Sequence, residues 1–241
     1  DTDPFIAELK VLRGYFYYQL LDMFGNVPII TSFDVIDPPA NSSRAEVYNF
    51  LVNDLATEVP KLTRSISGAT YGRMQYYAGQ ALLAKLYLNA EVYSGTPAWS
   101  QAAAACDEII NSGLYSLETN YFSNFDADNS GSSENIFAIP YDEVFARGFN
   151  ISQMTLHYNS QQTWNLAAQP WNGYCSLQEF YNSYDDTDLR KGEFGNQQAR
   201  GNFIAGPQFA SDGKTPILDP GAEANDPDGE SLVFTPEINE H

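Results

Sequence analysis

Residues 74–113, "MQYYAGQALLAKLYLNAEVYSGTPAWSQAAAACDEIINSG", constrain the chain more than any other stretch. Leu82, Leu83, Leu86 and Leu88 recur among Ala78, Ala81, Ala84 and Ala90, which predicts a helix to about Tyr93 whose small residues admit a close neighbour. Gly95, Thr96 and Pro97 then break the period. Thr96 is the expected cap of a second helix, with Pro97 in the first helical position, where a missing N–H costs nothing. That helix is expected to end at a left-handed Gly113, with Leu114 making the apolar contact beyond it. Two helices joined by so short a connection form a hairpin. Leu83-Ala84, Tyr87, Trp99, Ala102 and Cys106 fall where tetratricopeptide repeats place Leu-Gly, Tyr, Tyr, Ala and an aromatic. The step from Tyr87 to Ala102 is longer than the roughly 9 residues of a standard repeat, so the repeat is expected to be irregular.

Upstream, "LRGYFYYQLLDMFGNVPII" puts Tyr15, Phe16, Tyr17 and Tyr18 in a row. Four successive helical positions cover about 300° of the circumference, far more than the roughly 100° stripe of a surface helix. The segment is therefore expected to be touched on several sides, as an inner helix of a stack is; a ligand cage is the other reading of these rings. Phe5, Leu9, Leu12, Phe16, Leu20 and Met23 mark the apolar period of this helix, predicted over Pro4 to Phe24. At Ser43 the pattern Ser-Arg-Ala-Glu predicts a capping box with Glu46, opening a helix that buries Val47, Phe50, Leu51 and Leu55.

Beyond residue 115 the periodicity breaks. A polar loop leads to one short predicted strand, Ile136 to Tyr141. A second capping box, Ser176 to Glu179, predicts a helix through "EFYNSYDD", and the tail "ILDPGAEANDPDGESLVFTPE" reads as a turn-rich excursion with a strand at its end. The fold class is thus mostly α: a tetratricopeptide-like helix-hairpin scaffold over 1–115, and a loop-rich, minor-β binding region over 116–241.

Composition narrows the function. Twelve basic against 31 acidic residues give a net charge of −19, which repels phosphate backbones and removes nucleic acid from the partners. The excess is uneven: residues 1–113 carry 7 basic and 12 acidic side chains, and the remainder carry 5 and 19. No run of 18 apolar residues is present. Of the two cysteines, Cys106 reads as a small buried packer, with a disulfide to Cys175 as the alternative.

The usual catalytic constellations are missing from the sequence. It has no Gly-rich phosphate loop, no Gly-x-Ser-x-Gly elbow, no zinc helix, and only His157 and His241 as histidines. "DDTDLR" offers Asp185, Asp186 and Asp188, which with Glu179 could serve a glycosidase or simply cap a helix end. "DADNSGSSE" resembles a calcium loop at Asp126, Asp128, Ser130 and Gly131, yet its twelfth position is Phe137 rather than the required glutamate; a polar turn is the other reading, and no cofactor is expected. The aromatic and amide set of residues 157–174 remains. Sugars present apolar C–H faces and hydroxyl rims, so a lectin site needs flat rings beside short polar side chains. Trp164 and Trp171, with His157, Tyr158, Asn172 and Tyr174, supply both. Two readings of the tryptophans stay open, as sugar platforms or as anchors pinning the loop to the core.

The blocks "LRGYFYYQLLDMFGNVPII", "SRAEVYNFLVNDLATEVPKL", "GRMQYYAGQALLAKLYLNAEVYSG", "AAAACDEIINSGLYSL", "SSENIFAIPYD" and "WNGYCSLQEFYNSYDDTDLRKG" resemble, in order, the signature blocks of the SusD/RagB family. The resemblance implies a lipoprotein on the extracellular face of a Gram-negative outer membrane, without enzymatic activity. It would bind oligosaccharides on a tetratricopeptide scaffold and deliver them to a TonB-dependent SusC-like transporter as a lid. Membrane contact would run only through a lipid anchor that the sequence does not contain. Family members carry an N-terminal lipid-modified cysteine and a further C-terminal part, so the chain is expected to be a piece of one such domain, incomplete at both ends. A repeat scaffold that binds protein without sugar, or a glycoside hydrolase, are the alternatives.

Overall fold

A computed structural model describes residues 2–34, 37–148, 150–219 and 229–237. The turn-rich part of the tail at 220–228 and His241 lie outside the described residues. The chain divides into two compact units, Asp1–Pro140 and Tyr141–His241.

The first unit is helical: α1 (Asp3–Phe24), α2 (Arg44–Glu58), α3 (Tyr76–Leu88), α4 (Ala90–Ser94) and α5 (Trp99–Ile110). α1 packs on α2 and α3 on α5, with α2 also against α3 and α4, so the pairs stack as helix hairpins. The capping box at the start of α2 is formed: the Glu46 N–H donates to Ser43 Oγ at 3.3 Å, and Glu46 Oε2 accepts from the Ser43 N–H at 2.8 Å. Val47, Leu51 and Leu55 are fully buried on this helix.

Two close approaches set the helix spacing. A methyl group on Gly14 of α1 would stand 2.8 Å from Leu55 Cδ2, and one on Gly79 of α3 would stand 2.6 Å from Val59 Cγ2. Two polar nodes lock the stack. Gln75, buried ahead of α3, accepts from the Tyr77 N–H at 2.6 Å and donates to Tyr115 Oη at 3.0 Å and to the Ile136 carbonyl at 3.1 Å, which uses both ends of its amide. Glu58, also buried, receives Lys10 Nζ at 2.5 Å and Lys61 Nζ at 2.8 Å, joining α1 to the end of α2.

Several expectations need correction. The apolar period chosen for α1 is its outer face: Phe5, Leu9, Phe16, Leu20 and Met23 are exposed, whereas Ala7, Val11, Gly14 and Leu21 are buried. Close helix packing selects the smaller side chains, which leaves the bulky ones outside. Tyr15, Tyr17 and Tyr18 do pack against the core, but Phe16 does not. The long helix through Tyr93 is broken at Asn89 into α3 and α4. α5 starts at Trp99 after an uncapped Ala98, so Thr96 is no cap; its N–H donates to Ser94 Oγ within the turn instead. Gly113 is left-handed at φ 66° as expected, but Leu114 stays exposed. Cys106 and Cys175 are both exposed and free, so Cys106 is not a buried packer. Residues 136–141 form no strand; the Ile136 carbonyl goes to the Gln75 side chain rather than to a ladder.

The second unit carries α6 (Ile151–Thr155), α7 (Ser160–Trp164), α8 (Gln178–Asn182) and four two-residue strands: β1 (Gly206–Pro207), β2 (Leu218–Asp219), β3 (Glu230–Ser231) and β4 (Val233–Phe234). β1 pairs antiparallel with β4, Gly206 opposite Phe234, and β2 with β3, Leu218 opposite Ser231. The fully buried Leu232 sits between the two ladders, its N–H donating to the Ile217 carbonyl and its carbonyl accepting from the Gln208 N–H, both at 2.9 Å. The second capping box does not form: α8 starts after Leu177, with no side-chain cap bond at that position, and Ser176 Oγ turns to the Leu177 carbonyl instead.

Candidate functional site

The aromatic and amide set of residues 157–174 is built on α6, α7 and a returning strap. Asn172-Gly173 turns the chain back toward α6, with Asn172 left-handed at φ 51°, a conformation Asn tolerates better than most residues. Four backbone bonds then pin the strap: the Trp171 N–H to the Gln153 carbonyl at 2.6 Å, the Asn172 N–H to Leu156 at 3.0 Å, and the Gly173 and Tyr174 N–H groups to Met154 at 2.7 and 3.0 Å. Gly173 eases this approach, since a Cβ there would meet the Met154 carbonyl oxygen at a tight 3.1 Å. The strap therefore holds its place through the main chain and leaves its side chains outside. Trp171 is 59% exposed and Tyr174 60%.

His157 is buried, 4% exposed. Its Nδ1 accepts the Asn159 N–H at 3.1 Å, so the neutral ring carries its proton on Nε2, which faces Asp219 Oδ2 at 3.4 Å. Asn159 Nδ2 reaches the Leu218 carbonyl and Asp219 Oδ1, both at 3.3 Å, tying the α6–α7 turn to β2. The imidazole lies 4.0 Å from the Tyr158 ring and 5.7 Å from that of Phe234, tilted to both. His157 thus supports the half-buried Tyr158 from within. Trp164 closes α7, 39% exposed, before a left-handed Asn165 at φ 49°. Trp171, Asn172 and Tyr174 share one strap that is bonded next to the His157-Tyr158 turn; Trp164 is carried separately.

Sequence reasoning missed the residues that tie the α6–α7 turn to β2. Asn159 and Asp219 gave no signal, being 60 positions apart. The Asn-Gly dipeptide at 172–173 did, as a turn mark.

The carboxylates singled out for chemistry are engaged in local structure. Asp185 Oδ1 accepts from the Thr187 N–H and hydroxyl at 2.8 and 2.6 Å, and Asp186 takes Lys191 Nζ at 2.7 Å. Asp188 is chelated by Arg190, whose side-chain and backbone N–H bonds hold its carboxyl down to about 2. In the proposed calcium loop, Asp128 accepts from the Ser130 hydroxyl at 2.7 Å and closes a polar turn. Among the described residues no three His, Cys, Asp or Glu side chains are grouped to hold a metal ion. A shallow recess of about 380 Å³ between Tyr141, Glu143 and Arg147 involves none of the candidate binding or catalytic residues named from the sequence. No described helix is long and apolar enough to cross a membrane.

Stacked helix hairpins followed by a loop-rich unit with short strands define a tetratricopeptide-like scaffold. No family model matches the chain. Over 147 residues it is 34% identical to the starch-binding protein SusD of Bacteroides thetaiotaomicron, a match that covers 59% of the chain and 26% of that protein. The chain spans about a quarter of the length of the curated relatives it matches, 26% and 25%. Its fold is that of surface glycan-binding protein A from Bacteroides thetaiotaomicron, solved with laminarihexaose: TM-score 0.64, 22% identity, 78% of this chain and 41% of that one. A SusD-like carbohydrate-binding protein from Bacteroides fragilis gives TM-score 0.64 at 20% identity, over 90% of this chain and 43% of that one. In sequence the chain is similar to SusD over part of its length, and its fold is that of SusD-like proteins.

Proposed function

We propose that this chain is the part of a cell-surface SusD-like lipoprotein that binds oligosaccharide without cleaving it, and that the parent protein passes the sugar to a TonB-dependent SusC-like transporter in the outer membrane. The contact surface is the strap of Trp171, Asn172 and Tyr174, with Tyr158, which His157 supports, and with Trp164 as a separately carried ring. The observation that carries this reading is the division of labour in the strap: its backbone is fixed by main-chain bonds, so the exposed rings of Trp171 and Tyr174 are not needed as anchors. A flat exposed ring on a fixed backbone is a stacking surface for a pyranose face, and the Asn172 amide supplies donors and acceptors for the hydroxyl rim. The names of the relatives, starch-binding in one case and solved with laminarihexaose in another, agree with this ligand class. A non-enzymatic role is supported by Asp185 and Asp188, whose hydrogen-bond donors hold them below the usual carboxylate range, where neither keeps a proton to donate to a leaving group.

Stacking that removes about 100 Å² of apolar surface from water is worth roughly 2.5 kcal/mol. Trp171→Ala is therefore expected to weaken oligosaccharide binding by about one to two orders of magnitude, with helical circular dichroism and melting temperature unchanged. A Trp171→Ala chain that melts several degrees lower and binds sugar as well as the parent would make the tryptophan an anchor and sink the assignment.

A further inference from the structure

One buried carboxylate addresses both sequence neighbours of the Tyr158 ring. Asp219, 3% exposed on β2, turns Oδ2 toward His157 Nε2 at 3.4 Å and Oδ1 toward Asn159 Nδ2 at 3.3 Å, so the residues before and after Tyr158 meet the same side chain. Those two residues are also joined to each other, because His157 Nδ1 accepts the Asn159 N–H at 3.1 Å. With Nδ1 committed as an acceptor, the neutral ring presents a donor at Nε2, and the Asn159 amide presents a second. A carboxylate accepts at both of its oxygens, whereas a carboxamide of the same shape would set its NH2 group against one of these donors. His157 in turn stands 4.0 Å from the Tyr158 ring, and the Leu156 carbonyl before it holds the Asn172 N–H of the strap at 3.0 Å. Asp219 is itself fixed on its ladder, opposite Glu230 and next to the partners of the fully buried Leu232.

We propose that Asp219 is a positioning residue of the sugar site, setting the Tyr158 ring through His157 and Asn159 without meeting the ligand, a role that rests on the reading of Tyr158 as a sugar contact. Asp219→Asn, which keeps the volume, and Asn159→Ala, which removes the facing amide, test it in the 241-residue chain labelled with 13C in its tyrosine rings. The Tyr158 signals are those lost in Tyr158→Phe. Two quantities are read: the Tyr158 ring shifts, which the adjacent imidazole displaces in the parent, and the dissociation constants for laminarihexaose and a starch-derived oligosaccharide. Both variants should move the Tyr158 shifts toward those of an unfolded chain and weaken binding about three- to tenfold. The Leu232 amide, bonded to the Ile217 carbonyl, should exchange with solvent as slowly in the variants as in the parent. In a Tyr158→Ala background Asp219→Asn should cost no further affinity, whereas a general loosening of the unit would cost as much as before. Tyr158 shifts that stay in place in both variants, or an affinity that does not follow them, overturn the inference and leave the sugar site standing. Faster Leu232 exchange in both variants, or an affinity loss that persists in full without the Tyr158 ring, makes Asp219 a general brace and overturns it too. A parent chain that binds neither sugar overturns the reading of the site and this role with it.

Discussion

At Gly79 a side chain as small as alanine's has nowhere to go, since its methyl would lie 2.6 Å from Val59 Cγ2 in a fully buried contact. Glycine inside a helix costs up to about 1 kcal/mol relative to alanine, so its presence in α3 is explained only by the close approach it permits. Gly79→Ala is expected to reduce unfolding free energy by about 1 to 3 kcal/mol despite its better helix propensity, as overpacked substitutions do. A urea melt with an unchanged or higher midpoint would show that the chains part without cost. The alanines singled out in the sequence differ between themselves: Ala102 is buried in the α3–α5 contact, while Ala84 is only partly buried. The sequence reading took alanines as the small packing positions of α3 and passed over Gly14 and Gly79. Which neighbour each glycine approaches leaves no trace in its own helix, because Val59 and Leu55 come from another helix and its end.

α1 shows what an element-level reading yields and where it fails. Its extent follows from a proline near the start and glycine after the end. Its orientation does not, because both sides are apolar at helical spacing and periodicity alone cannot rank them. The Ser43 and Ser176 patterns diverge for a similar reason: the first precedes fifteen residues of helix, the second a single turn whose start shifts by one position. The junction of α1, α2 and the turn after it rests on Glu58. Hydrogen bonds from Lys10 first, then Lys61, hold its carboxyl below the usual range, against an opposing push from burial. A carboxyl whose pKa is lower in the folded state adds stability that is present above its unfolded value near 4.3 and disappears as pH falls through the folded value. Glu58→Gln is therefore expected to lower the melting temperature at pH 7 and to flatten its decline between about pH 5 and pH 3. Melting curves of parent and variant that fall in parallel across that window would show that Glu58 contributes nothing to the acid sensitivity.

For the molecule as a whole, the helical scaffold and the likeness to SusD-like proteins were legible because helix periods and the blocks that carry the likeness survive in the sequence. In the second unit the sequence shows the aromatic and amide residue types of 157–174 but not the strap, which depends on backbone bonds to Gln153, Met154 and Leu156 that leave no residue-type trace. His157 illustrates the difference, since a histidine among aromatics reads as a ligand contact until its burial against Asp219 is seen. The central claim is that this fold presents rings to a sugar and leaves the sugar whole. Calorimetric titration of the chain with laminarihexaose and with starch-derived oligosaccharides, followed by chromatography of the recovered sugar, tests it most directly. The account predicts saturable binding of at least one of these sugars in the roughly micromolar to millimolar range, with heat lost in Trp171→Ala and the sugar recovered intact. A folded chain that gives no heat with any of them, or a recovered sugar shortened with new reducing ends, would contradict it.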